Sequence, residues 1–85
     1  MPNLPRLLVE REHLVMADRH IAEGECRVTA QMLLLERIGE GRRDTRDARD
    51  LLRLLQQTLD TWVVHRHAIL REIARLEQTE PPPRP

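Results

Sequence analysis

Apolar residues recur every seven positions through two long stretches of the chain. In the first, Leu7, Leu14, Ile21, Val28 and Leu35 lie seven apart, and three residues after them come Glu10, Ala17, Gly24, Gln31 and Ile38. In the second, Leu52, Leu59, Arg66 and Ile73 are followed by Leu55, Trp62, Ile69 and Leu76, with Ala48 one heptad earlier. Spacings of three and four, sustained over four heptads, predict long packed α-helices. Punctuation sets their ends. Asn3 reads as an N-cap, and Pro5 fits the first turn, where its missing N–H matters little. Gly39 or Gly41 supplies the left-handed residue that ends the first helix, and Asp44 or Thr45 caps the second. The pattern therefore predicts helices over about 4–38 and 45–78, each about 50 Å long. Together they make a single domain over residues 1–80, followed by an extended, disordered proline-rich tail at 81–85.

A short connection makes the two helices antiparallel neighbours, so the fold class is all-α, a helical hairpin. Folding about the connection pairs positions whose numbers sum to roughly 86. Ile38 then meets Ala48, Val28 meets Leu59, Ala17 meets Ile69, and Gly24 offers room for the Trp62 indole. Arg11 falls near Glu77, and His13 near Glu72. Arg66 stands in the seam among apolar layers, its stem packed and its head reaching Asp18 or Glu25. The rival reading of Arg66 is a buried charge that fixes register at a cost in stability. Leu8, Val15, Ala22, Leu33, Leu34, Leu51, Leu54, Val63 and Leu70 widen the apolar stripe beyond one seam. A lone hairpin of this size is marginal, and a homodimer forming a four-helix bundle is the simplest way to cover that surface.

Composition narrows the chemistry. The 85 residues hold fourteen Arg, no Lys and fourteen acidic residues, for zero net charge. That balance argues against broad electrostatic capture by nucleic acid or acidic membranes. One Trp with no Tyr or Phe excludes an aromatic-cored β-sandwich and recognition of single strands by stacking. A single cysteine, Cys26 on the outer side of the first helix, excludes a disulfide framework and fits a reducing cytoplasm. The longest apolar run, Met32 to Leu35, is far short of a membrane span, and the first ten residues do not read as a signal peptide.

Three constellations carry candidate chemistry. His20 and Glu23 share one turn, and His65 falls beside them across the hairpin. Imidazole and carboxylate suit a divalent metal, but three ligands fall short of a usual zinc shell, and the second helix has no Glu-x-x-His motif of the di-iron bundles. No metal or other cofactor is therefore expected. Arg42, Arg46, Arg49 and Arg53 share one face at the start of the second helix, a candidate phosphate-binding stripe. Asp44, Asp47 and Asp50 interleave, which favours a solvated, salt-bridged face and makes nucleic acid an unfavoured partner. Cys26 has no base beside it in the sequence pattern. No phosphate loop or Ser–His–Asp ordering is present, so no catalytic residue is assigned and the chain is not expected to be an enzyme.

The run Ala17 to Glu25, then Gln31, Gly41 before Asp44-Thr45, Ala48-x-x-Leu51-Leu52 and Arg66-x-x-Ile69-Leu70 resembles a group of short proteins of rhizobia and related proteobacteria. The likeness covers roughly residues 12–74 and implies a bacterial helical hairpin. It carries no binding or catalytic residue with it. The functional expectation is a small non-enzymatic adaptor or regulator that self-associates and acts through protein–protein contacts. Leu14, Ile21, Gly24, Val28, Leu35, Leu52, Leu59, Trp62, Arg66 and Ile69 form its seam or interface. The alternatives are a nucleic-acid-binding hairpin built on the arginine stripe and a His/Glu metal-binding bundle.

Overall fold

A computed structural model describes residues 3–39 and 43–78, without the side chain of Arg43. Two helices pack against each other, α1 over Leu4–Ile38 and α2 over Arg43–Gln78, and the described residues hold no strand. The proline-rich tail at 81–85, Gly41 and Arg42 lie outside the described residues.

α1 begins and ends where its cap residues place it. The Asn3 side chain accepts a hydrogen bond from the Arg6 backbone N–H at 3.2 Å, and Pro5 stands in the first turn. One of the unpartnered amides of the first turn is thereby satisfied. At the other end Gly39 takes φ 78° and ψ 170°, a conformation open essentially to glycine alone, and its N–H donates to Leu35 C=O. α2 starts earlier than the cap pattern suggests. Asp44 and Thr45 both lie inside it, and the buried Thr45 hydroxyl donates to the Gly39 carbonyl. The hydroxyl thus ties the start of α2 to the end of α1 instead of accepting from its own helix, which makes the connection tighter than expected.

The seam follows the heptads. Every half-buried or buried residue of α1 is one of the ten heptad positions, with the single addition of His20. In α2 the nine heptad positions are likewise covered, joined by Thr45 and Glu72. The best-buried apolar side chains are Leu7, Ala17, Ala48, Ile69 and Leu76. Gln31 is buried among them, and its side-chain amide donates to the Ala48 carbonyl at 2.8 Å. That satisfies a polar group that would otherwise oppose packing. The helices run antiparallel, as ion pairs along both flanks of the seam report. Arg11 meets Glu77 at 3.4 Å on one side, and Arg6 meets Glu72 at 3.7 Å on the other.

The pairing is shifted from the expected one by about three residues, roughly one turn. Gly24 lies against Leu59, not Trp62: a β-carbon at Gly24 would be 3.2 Å from Leu59 Cδ1. Trp62 instead stacks on His20. The early start of α2 and the Thr45–Gly39 bond account for the shift, because they move each α2 layer farther along α1 from the connection. His13 lies 3.6 Å from Glu10 on its own helix.

Candidate functional site

The middle of the hairpin brings together most of the residues with chemical potential. His20 leaves α1 on the flank of the seam, and α2 places Trp62 directly against it. The two rings stack with centroids 4.2 Å apart and an interplanar angle of 17°. Trp62 also meets His65 in an edge-to-face arrangement, with ring centroids 5.6 Å apart. Offset-stacked and edge-on arrangements are those the ring quadrupole favours. His20 Nδ1 lies 3.8 Å from Glu23 on the next turn. The expected pairing of His20 with Glu23 is thus present, and both His20 and His65 contact the indole of Trp62. Among the described residues no three His, Cys, Asp or Glu side chains converge as metal ligands. The sequence held one usable signal for this layer. A residue slightly off the seam, such as His20, is covered only if a large partner leans over it, and Trp62 is the one large ring available.

Arg66 sits on the neighbouring turn of α2 with its stem in the seam and Nε 2.6 Å from Asp18 Oδ1. Both side chains keep a third or more of their surface in water. The pair is therefore a flank clamp across the hairpin and not a buried charge, as the packed-stem reading expects. Near the open end, Arg75 grips Glu72 through both oxygens, at 2.5 and 3.0 Å. That bidentate hydrogen bond, more than the charges of Arg75 and Arg6, holds the Glu72 carboxyl below the usual carboxylate range against partial desolvation. The same bond raises Arg75 further.

Arg46, Arg49 and Arg53 are exposed on α2, with Asp44, Asp47 and Asp50 exposed between them. Arg53 is already hydrogen-bonded to Asp50 at 2.9 Å. Arg42, the fourth member of the stripe, lies outside the described residues. Cys26 is exposed on the outward side of α1. It lines a shallow, open depression with Ala22, Glu25, Thr29, Ala30 and Leu33. A second such depression, nearer the start of α1, is lined by Leu8, Arg11, Glu12, Val15 and Met16.

Large apolar side chains remain in water on both helices, including Leu8 at 60%, Val15 at 62%, Leu33 at 54% and Leu54 at 58% exposure. None of the described helices is long and apolar enough to cross a membrane. No family model, curated protein or solved structure matches this chain.

Proposed function

We propose that this protein is a small non-enzymatic adaptor or regulator of the bacterial cytoplasm that works through the outer faces of its hairpin. It self-associates as a homodimer, two hairpins making a four-helix bundle. The observation that carries this reading is the amount of large apolar surface that two helices leave uncovered. On α1, Leu8, Val15, Met16 and Leu33 are each at least 54% exposed. Large contiguous apolar surface on a soluble domain marks a site of association. Balanced charge favours contact with protein over contact with phosphate.

Light scattering after size exclusion tests this reading across a micromolar concentration series. A dimer whose thermal midpoint rises with concentration is the expected outcome, because association stabilises the folded state by mass action. A monomer at every concentration overturns self-association.

A further inference from the structure

The two helices differ in what they show to solvent. The outward positions of α2 are mostly polar or charged, among them Arg46, Asp50, Arg53, Gln57, Asp60 and Arg71, all exposed. Directly opposite its seam, α1 instead shows Leu8, Val15, Met16, Ala22, Cys26, Ala30 and Leu33, also exposed. These lie at helical spacings of three, four and seven, so they form one strip. α1 is therefore apolar on two opposed sides, one covered by α2 and one uncovered. Building on the self-association proposed above, we infer that this strip is the dimer interface, and that its occupant is the same strip of a second copy running antiparallel.

Self-complementarity identifies the occupant. A two-fold interface must fit itself, so each part of the surface needs its counterpart elsewhere on the same surface. The strip divides in the required way. Its first half carries large side chains, Leu8, Val15 and Met16, and its second half small ones, Ala22, Cys26 and Ala30, with an open depression in each. An antiparallel pair with its two-fold axis beside residues 20 and 21 sets bulky against small. Val15 then enters the partner's depression at Cys26, and Leu8 meets Leu33 at each end. Charge agrees with shape. Arg19, the charged residue at the centre of the strip, falls opposite Glu23 of the other copy, and the axis makes that contact twice. A parallel pair would set Arg19 on Arg19, Glu12 on Glu12 and small residues on small ones. A partner's α2 would bring charges into the strip.

The two-fold places α1 and its copy in the middle of the four-helix assembly, side by side, with the α2 helices outside. Val63 and Leu70 lie on the flank of α2 marked by the Arg11–Glu77 pair, where they border the strip. The strip runs about 39 Å along one helix, which puts the contact at the small end of specific interfaces.

Cross-linking at single thiols tests the face and the register together. Across this axis the native Cys26 residues are about 16 Å apart along the helices, too far for a disulfide. Positions 22 are about 4.5 Å apart along them, within reach at the close approach that alanine permits. Mild oxidant should couple two chains of the Cys26→Ser, Ala22→Cys variant at least about tenfold faster than the native protein. Val15→Glu should abolish the dimer while leaving the helical circular dichroism intact, since that side chain does not touch the seam. A dimer that survives Val15→Glu, or that couples faster through native Cys26, overturns this interface while self-association stands. Absence of any dimer in the native protein overturns both.

Discussion

A β-carbon on Gly24 would meet Leu59 Cδ1 at 3.2 Å, the free end of a flexible side chain. A methyl group needs Leu59 to give by only a few tenths of an ångström, whereas a helix-interior glycine costs about 1 kcal/mol against alanine. Gly24→Ala should therefore stabilise the hairpin by about 0.5–1 kcal/mol, seen as a higher thermal midpoint. Gly24→Leu puts a second isobutyl group where Leu59 already sits, and should destabilise by about 1–3 kcal/mol. If both variants melt together, Gly24 is not in the seam. Arg66 shows the same seam tolerating length. Its guanidinium reaches Asp18 although α2 lies a turn from its expected place, because a long flexible stem absorbs such a shift. Glycine and the indole have no such reach, so the Gly24–Trp62 pairing read from the sequence failed where the Arg66–Asp18 pairing held.

The bounds of α1 and the identity of nearly every covered position were legible in the heptads, since periodicity depends only on which residues are apolar. Register depends on the connection, and there the Thr45 hydroxyl bonds to the Gly39 carbonyl, a contact for which capping rules offer no sign. The candidate site inherited that error. His20 and Glu23 are neighbours within one helix and were readable, whereas the stacking of Trp62 on His20 depends on the slide of α2. At the open end of α2, Glu72 gives the element a pH dependence. Its carboxyl is held below the usual range by Arg75, so its folded-state pKa is below its unfolded value. Stability from this pair is then fully present above the ordinary carboxylate pKa of 4.5, and is lost as pH falls through the lower folded value. The thermal midpoint of the native protein should fall more steeply below pH ~4.5 than that of Glu72→Gln. Parallel curves for the two proteins would show that the bond contributes nothing in solution.

For the molecule as a whole, zero net charge conceals a local choice between two surfaces. One is the apolar outer strip of α1, and the other is the arginine stripe at the start of α2. A phosphate-binding stripe works by releasing condensed counterions, and each contact steepens the loss of affinity with salt. Four contacts would cost roughly a hundredfold in affinity between about 50 and 200 mM salt. In the structure the stripe is partly neutralised. Asp44, Asp47 and Asp50 interleave with Arg46, Arg49 and Arg53, and Arg53 is engaged with Asp50 at 2.9 Å. An incoming phosphate would have to compete with that carboxylate and endure repulsion from its neighbours. RNA or DNA binding should consequently be weaker than micromolar at ~150 mM salt by fluorescence anisotropy. Asp47→Asn with Asp50→Asn should strengthen whatever binding remains at low salt, since both changes remove repulsion without touching an arginine. Submicromolar binding by the native protein, lost on replacing Arg46 and Arg49 with alanine, would move the function from the α1 strip to the arginine face of α2.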